Sequence, residues 1–247
     1  MRIFRVFTAA VLAFAALSGA QLAQASPAHL TVYLVRHGQS VDNAFGLQSG
    51  WSAAPLTALG AKQADTIGKR LGSLNFAAAY SSGSVRAVQT LDAILLANSN
   101  PIQAVGDPRF REWGVGFYDQ KPVSVAQAAE AKQLKTTVAK LGQFTDAQKF
   151  DALAAADPTK KTETWTRFKA RILAGITAVA SANARGAVVI TSHGYVIKHL
   201  IKLLTGKYTT LSITNTSVTV LDYSGGKWTL KQGPTLTPKL PAALPTQ

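Results

Sequence analysis

The sequence predicts an α/β fold, a three-layer αβα sandwich with a mostly parallel central sheet and a helical insertion over the site. Two short apolar runs, residues 30–35 and 187–192, have the composition of strands that are buried on both faces. Each run leads into a His-Gly pair, at 37–38 and 193–194. Segments with helical spacing of apolar residues lie between the two runs, which is typical of a parallel sheet covered by helices. The 247 residues are enough for one large domain of this kind.

The elements between these two runs follow from apolar spacing, capping residues and turn signals. In chain order we expect a loop at 44–54, a helix capped by Thr57, a strand at 76–80, a helix capped by Ser84, a strand at 102–105, helices near 123–141 and 146–156, and a helix at 163–181. The buried stripes of the first two helices are predicted to be Leu59, Ala64, Ile67 and Leu71, and Val85, Val88, Leu91 and Leu95. Residues 121–157 form the predicted insertion.

The C-terminal part is expected to add a helix and a hairpin. Apolar residues at helical spacing predict a helix at 195–204 that ends at Gly206. Residues 213–223 and 227–230 are predicted to form the two strands of a hairpin. The segment 233–247 contains four prolines and is predicted to be a Pro-rich tail, extended or disordered.

The first 25 residues have the composition of a cleaved secretory signal. Arg2 and Arg5 precede an apolar stretch at 6–17, and the Ala-Gln-Ala at 23–25 has the form of a cleavage site. The apolar stretch is short for a membrane span, which needs about 20 residues. We therefore predict a signal peptide at 1–25, a folded domain at 26–232, a periplasmic or secreted location, and no stable membrane span after signal removal.

The net charge of +14 favours anionic partners. The lysines are scattered without a dense basic run, so no nucleic-acid partner is expected. The absence of cysteine excludes disulfides, thiolate metal sites and a cysteine nucleophile. No residues have metal-ligand spacing, since His29 and His199 stand apart, and we expect no metal and no other cofactor. The sequence does not indicate an oligomeric state.

His37 and His193 mark the candidate site. In an open parallel sheet, the turns after the strands lie at one edge, where ligands bind. Arg36 precedes the first histidine, and Arg86 falls in the first turn of a predicted helix, where a cation is unfavourable unless an anion lies nearby. The combination indicates an anion site with a nucleophilic imidazole. These residues alone leave a second interpretation open, a solvated arginine and a packed histidine at a strand end.

Five motifs follow one another in a characteristic order. They are RHGQSVDN at 36–43, PLTALGAKQA at 55–64, YSSGSVRAVQT at 80–90, FRE at 110–112 and SHG at 192–194. In this set the chain resembles the histidine phosphatase superfamily, in its phosphoglycerate-mutase-like group, from about residue 30 to about residue 230. The resemblance implies a small-molecule phosphomonoester substrate and a phosphohistidine intermediate. The chain departs from the family pattern at Ala53, where many members have Asp, and at Asp119-Gln120, where Glu-Gly is common.

The resemblance also implies a role for each matching residue. His37 is the expected nucleophile, a neutral imidazole that attacks with one nitrogen while the other donates a hydrogen bond. Glu112 is the expected proton donor to the leaving group. The residues expected around the phosphoryl group are Arg36, Asn43, Arg86 and His193, and His193 is also counted as catalytic. Without the family pattern, an ordinary surface ion pair is the preferred explanation of Glu112. Asp42 and Asp119 are rival carboxylates.

We expect a phosphohydrolase of the histidine acid phosphatase type, and three other classes remain open. A phosphoglycerate-mutase-type phosphotransferase shares the RHG and SHG motifs. A non-catalytic anion-binding envelope protein needs only the pocket, and a nucleic-acid or envelope-surface binder needs only the charge. The segment 113–121 offers Lys121 as its only basic residue, which favours hydrolysis over retention of a small acidic intermediate.

Overall fold

The computed structural model describes residues 29–207 and 212–240. The predicted signal at 1–25 and the predicted tail from residue 241 onward lie outside the described residues. The strands are β1 (His29–Arg36), β2 (Phe76–Ser81), β3 (Ala104–Gly106), β4 (Gly186–Ser192), β5 (Val218–Ser224) and β6 (Lys227–Thr235). The α-helices are α1 (Val41–Ala44), α2 (Ala58–Leu71), α3 (Val85–Leu96), α4 (Val123–Gln133), α5 (Asp146–Ala156), α6 (Trp165–Ala182) and α7 (Gly194–Thr205). Short 3₁₀ helices occupy Pro108–Phe110, Gly116–Tyr118 and Val138–Gln143.

The strands form one mixed sheet in the order β3-β2-β4-β1-β5-β6. The first four of these run parallel, and β5 and β6 are antiparallel additions at one edge. Alternate residues of β1 enter two separate cores. Tyr33 packs in the core that contains α2 and α3, whereas Leu34 packs in the core that contains α6 and α7. Helices therefore cover both faces of the sheet, which confirms the predicted α/β class.

The helical insertion comprises α4, the 3₁₀ helix at Val138–Gln143 and α5. The single helix expected near 123–141 is wrong in its second half, because α4 ends at Gln133. Lys135 takes a φ of 50°, a left-handed conformation that no helix can continue. Helix α5 begins at a capping box formed by Thr145 and Gln148.

Helix α3 turns a different face to the sheet than its apolar spacing predicted. Its buried residues are Arg86, Ala87, Thr90, Leu91 and Ile94. Val85 is 39% exposed and Val88 and Leu95 are only half-buried, so the predicted stripe holds at Leu91 alone. Polar contacts explain this orientation of the helix. Arg86 faces the candidate site, and the Thr90 hydroxyl accepts from the backbone N–H of Gly38 at 3.0 Å.

Several predicted element ends are confirmed and others move. Thr57 caps α2 by accepting from the N–H of Gly60 at 3.0 Å, whereas Ser84 at the start of α3 makes no capping hydrogen bond with its side chain. Helix α7 ends at Gly206, whose φ is 67°. Strand β6 continues to Thr235, so the first three residues of the predicted tail lie in the strand, and Thr235 pairs with Val218. No helix among the described residues is long and apolar enough to cross a bilayer.

Candidate active site

Neighbouring parallel strands bring the two histidine turns together. Strand β1 pairs with β4 in a register that sets Arg36 opposite Ser192, so the chain leaves both strands at the same level. The backbone N–H of His37 donates to the carbonyl of Ser192 at 3.0 Å. The ring centroids of His37 and His193 lie 5.0 Å apart. The pair therefore sits at the carboxyl edge of the parallel strands, the usual place for a ligand in this architecture.

The backbone fixes the tautomer of His37, whose side chain is buried. Its Nδ1 lies 2.7 Å from the carbonyl oxygen of Gly38. A carbonyl oxygen only accepts, so Nδ1 carries the proton and Nε2 carries the lone pair. The geometry matches the expectation of one nitrogen donating while the other faces the reaction. Gly38 is required by packing, not by a ligand, because a Cβ there would collide with the carbonyl of Gly60.

The guanidinium of Arg86 lies between the two imidazoles and is fully buried. Its Nε donates to Nε2 of His37, and its Nη2 donates to Nδ1 of His193, both at 3.3 Å. Its terminal N–H groups also donate, over 2.9 to 3.3 Å, to the carbonyls of Ser49, Gly50 and Ser52. The loop at 49–52 thus holds the cation against both rings.

His193 is also held as a neutral ring. Arg86 can only donate, so Nδ1 of His193 accepts and Nε2 carries the proton. That Nε2 donates to the hydroxyl of Ser82 at 2.8 Å. Ser82 directly follows β2, and the sequence analysis did not single it out. Its position directly after a third parallel strand is the signal that could have identified it.

Burial lowers the pKa of His37 and of His193 well below the usual 6.5, and the charges of Arg86 and Arg36 lower both further. The hydrogen bond from His37 to the Gly38 carbonyl opposes this shift without reversing it. Both rings are consequently uncharged at neutral pH. An uncharged imidazole is the form in which histidine acts as a nucleophile.

Arg36 and Asn43 both make side-chain hydrogen bonds to the segment at 213–215. Arg36 donates through Nη1 to the carbonyl of Ile213 at 2.5 Å, but its Nε is buried with no hydrogen-bond partner among the described residues. A buried donor without a partner is costly, which indicates a place for an anionic ligand. Asn215 donates to the His37 carbonyl at 3.0 Å and to Oδ1 of Asn43 at 3.2 Å, and so links His37 to Asn43.

The side chains of Glu112 and Arg36 line the same pocket. Its two carboxyl oxygens accept from the backbone N–H groups of Trp113 at 2.9 Å and Tyr195 at 3.2 Å. Burial raises the pKa of Glu112 above the usual 4.5, although these two N–H groups and the nearby arginines oppose the shift. A methyl group added to Gly194 would lie 3.9 Å from both Oε2 of Glu112 and Nε of Arg36. Glycine at this position therefore leaves the carboxyl and the cation facing the same open volume.

The backbone around Glu112 is clamped by Arg171 of α6, another contribution that the sequence analysis missed. Its terminal N–H groups donate, over 2.8 to 3.1 Å, to the carbonyls of Arg109, Arg111 and Glu112. Arg171 also pairs with Glu163 at 2.6 Å, and Glu163 accepts from the N–H of Gly114 at 2.8 Å. One ion pair thus fixes both ends of the segment that carries Glu112.

The rival carboxylates Asp42 and Asp119 support the loop that binds Arg86. Asp119 accepts from the N–H groups of Gly50 at 2.8 Å and Trp51 at 2.9 Å. Asp42 accepts from the hydroxyl of Ser52 at 2.5 Å. Neither carboxylate lines the pocket beside the site.

A pocket of about 440 Å³ opens beside these groups, a size within the range of about 300 to 1,000 Å³ found for ligand sites. Arg36, Asn43 and Glu112 line it, whereas the buried His37, Arg86 and His193 do not contribute to its surface. Its other lining residues are Leu47, Gln48, Ser49, Trp113, Val115, Val123, Gly194, Tyr195, Lys198, Ser212 and Ile213. The site therefore combines a buried imidazole pair with an accessible cation and carboxyl.

The other two histidines lie away from the site, each beside a carboxylate. His29 is 3.2 Å from Asp222 in the sheet, and His199 is 3.2 Å from Asp146 between α7 and α5. The part of the chain that the structure describes contains no group of three or more His, Asp or Glu that could hold a metal ion.

A family model for the histidine phosphatase superfamily (branch 1) matches residues 32–233. The chain belongs to the histidine phosphatase superfamily. The match spans both histidine turns, Arg86, Glu112 and the hairpin. Phosphatases and mutases make up this superfamily, so this histidine phosphatase chain is an enzyme of that broad class.

Relatives and solved structures agree with this assignment. A probable phosphoglycerate mutase GpmB from Yersinia pestis (strain Pestoides F) is 27% identical over 203 residues, covering 81% of this chain and 87% of the relative. The crystal structure of a phosphoglycerate mutase from Bacillus anthracis str. Sterne is 30% identical with a TM-score of 0.80, covering 84% of this chain and 93% of the other. An alpha-ribazole phosphatase from Shigella flexneri shares the fold at 22% identity, with a TM-score of 0.69 and coverage of 86% and 100%.

Proposed function

We propose that this histidine phosphatase hydrolyses a small-molecule phosphomonoester through a phosphohistidine on His37, with Glu112 as proton donor. The observation that carries the proposal is the lone pair on Nε2 of His37, which is held uncharged beside Arg86. A phosphomonoester repels nucleophiles through its charged oxygens, so the site has to neutralise them. Arg36 and Arg86 supply N–H donors for that purpose, His193 holds Arg86 beside His37 through its Nδ1, and Asn43 adds a polar side chain at the pocket edge.

The reaction then proceeds in two displacements. Nε2 of His37 attacks phosphorus, the bond between phosphorus and the alcohol oxygen breaks, and protonated Glu112 gives its proton to that oxygen. Water next attacks the phosphohistidine and passes a proton to Glu112, and inorganic phosphate leaves. The raised pKa of Glu112 supports its role as the acid, because more of it is protonated near neutrality.

A phosphoglycerate-mutase activity is the second candidate, favoured by the 30% identical structure that carries that name. A mutase has to retain a small acidic intermediate and exclude water until the phosphoryl group returns. Among the described lining residues the cations are Arg36 and Lys198, and Lys198 lies 3.4 Å from Asp146. Lys121 lies over the ring of Phe117 and does not line the pocket. This sparse basic lining supports hydrolysis.

The test follows phosphate release and isomer formation together. The purified protein is incubated with 3-phosphoglycerate and a bisphosphate primer, and separately with a panel of phosphomonoesters. If the protein is a hydrolase, the panel substrates release free phosphate. In the 3-phosphoglycerate incubation, isomer formation is then no faster than phosphate release. His37→Gln is expected to abolish turnover, whereas His29→Gln, altering a histidine with a largely exposed side chain, is the matched control.

A rapid quench at alkaline pH with labelled substrate is expected to trap an acid-labile adduct on His37. Faster isomerisation than phosphate release would establish the mutase and leave His37 and Glu112 in their roles. Full activity in His37→Gln would refute the mechanism altogether.

A further inference from the structure

The side chains that line the pocket beside Glu112 divide about equally into polar groups and an apolar set, the apolar wall. The polar side chains are Arg36, Asn43, Gln48, Ser49, Glu112, Lys198 and Ser212. The side chains of the apolar wall are Leu47, Trp113, Val115, Val123, Tyr195 and Ile213. The wall adds apolar and aromatic surface beside these polar groups, and such surface can bind an uncharged organic group.

The charges around the wall do not suit a second anionic group. Once Arg36 contacts the phosphoryl group, Lys198 is the remaining cation among the described lining residues. Its Nζ lies 3.4 Å from Asp146, whose carboxylate already offsets the charge. Glu112 would also repel a carboxylate on the substrate whenever it is ionised. The pocket thus offers weak compensation for an acidic leaving group.

Two aromatic rings give the wall a fixed shape. The rings of Trp113 and Tyr195 meet edge to face with centroids 5.7 Å apart. Trp113 is only 2% exposed. It stacks on Phe150 at 3.8 Å and donates through Nε1 to the carbonyl of Glu163 at 2.8 Å, so it is fixed and presents little of its ring to the pocket. Tyr195 is 37% exposed and lies nearly parallel to the ring of His199. An aromatic ring of a substrate can pack against such a pair in offset or edge-to-face geometry.

We propose that the leaving alcohol of the substrate is uncharged and carries an aromatic ring, which packs against the accessible ring of Tyr195 beside the fixed Trp113. The inference rests on the proposed phosphomonoester hydrolysis and names the substrate class of that site. It also identifies Val123, at the start of α4, as a wall residue through which the insertion acts on substrate choice.

The test compares substrates whose leaving groups are all primary alcohols, so that differences in leaving-group acidity are small. The substrates are 2-phenylethyl phosphate, glycerol 3-phosphate and 3-phosphoglycerate. We expect kcat/KM for 2-phenylethyl phosphate to exceed the other two by about 10-fold or more, the usual effect of filling an apolar subsite. An equal or higher value for 3-phosphoglycerate would overturn the inference while leaving hydrolysis intact.

Binding separates this inference from the proposed function. Calorimetry with the non-hydrolysable 2-phenylethylphosphonate and with a glycerate phosphonate needs no turnover. Tighter binding of the aromatic phosphonate by a protein that releases no phosphate would support the pocket assignment and refute hydrolysis. Weaker binding of the aromatic phosphonate would refute the pocket assignment.

A pair of variants on one helix locates the effect. Val123→Lys places a cation in the wall and is expected to lower the preference for 2-phenylethyl phosphate over 3-phosphoglycerate about 10-fold. Val125→Lys, on the same helix at a residue that is 41% exposed and outside the pocket, is expected to leave the preference unchanged. Retained binding of inorganic phosphate shows that each variant is folded. An unchanged preference in folded Val123→Lys would overturn the assignment of the wall.

Discussion

Nε of Arg86 donates to Nε2 of His37 over 3.3 Å, so the cation touches the nitrogen that we propose as the attacking atom. The contact keeps that nitrogen free of a proton, because protonation would bring two positive groups together in a buried space. A phosphoryl group that arrives at Nε2 can accept from the same guanidinium. Arg86 therefore prepares the nucleophile and then has the reach to bind the group that it attacks.

Asp119→Asn is expected to lower kcat/KM about 10- to 100-fold, the cost of misplacing a catalytic group by a small distance. The variant retains one acceptor for the loop but loses the second and the charge, so the Gly50 and Trp51 backbone loosens. Arg86, whose N–H groups bind carbonyls of that loop, then loses its position. Steady-state kinetics on a phosphomonoester together with a thermal melt measure the effect.

Asp65→Asn on the exposed side of α2 provides the matched control and is expected to behave like the natural protein. A variant at Asp119 that melts normally and turns over normally would show that the loop does not position Arg86.

The sequence predicted those parts of the site that follow from strand order. Two buried parallel strands, each followed by His-Gly, place His37 and His193 at one edge of the sheet, independently of the conformation of the other loops. The support for Arg86 was not predictable, because Ser49, Gly50 and Ser52 contribute backbone carbonyls that any residue type carries. The same applies to Arg171, which lies on a helix almost sixty positions after Glu112 and binds backbone carbonyls of the Glu112 segment.

The orientation of α3 shows where apolar spacing fails to predict the buried face of a helix. Apolar spacing assigned Val85 and Val88 to the buried face, but Arg86 and Thr90 are buried there instead. Both polar side chains make buried hydrogen bonds at the candidate site, Thr90 with Gly38 and Arg86 with His37, which turn this face of the helix inward. A functional polar group on a helix can therefore defeat a periodicity argument, and Arg86 in the first turn was the residue that signalled it.

The pH dependence of turnover follows from two opposed shifts. His37 has to be uncharged, and its pKa lies below 6.5; Glu112 has to be protonated for the first step, and its pKa lies above 4.5. Activity therefore rises as pH increases through the pKa of His37 and falls as pH increases through that of Glu112. We expect a bell-shaped profile of kcat/KM, with the acid limb set by His37 and the basic limb set by Glu112.

Glu112→Gln is expected to remove the basic limb of that profile and to slow unactivated substrates about 10²- to 10⁴-fold. An activated aryl phosphate, whose leaving group needs less help from an acid, is the internal comparison and should lose less activity. A basic limb that survives unchanged in Glu112→Gln would assign the proton donor to another group.

The stability of the insertion is predicted to depend on pH through Glu130 of α4. Burial raises the pKa of this carboxyl from 4.5 to about 7, and the charge of Lys149 opposes the rise only in part. The folded state thus holds the proton more tightly than the unfolded state, so the stability that Glu130 contributes is fully present below pH 4.5 and is lost as pH rises through about 7. Glu130→Gln removes that decline. We expect the variant to exceed the natural protein in free energy of unfolding by about 1–3 kcal/mol at pH 8, and to match it near pH 4.

Asp146 of α5 supplies a control of opposite sign within the same insertion. The hydrogen bond from His199 lowers the pKa of Asp146 below 3.8, despite burial. Its contribution is present at neutral pH and is lost as pH falls below 3.8, so Asp146→Asn is expected to destabilise the protein at pH 8. Urea unfolding of both variants at pH 4 and pH 8 makes the comparison. If Glu130→Gln unfolded at lower urea than the natural protein at pH 8, Glu130 would be a stabilising ionised group, and the account of its burial would be wrong.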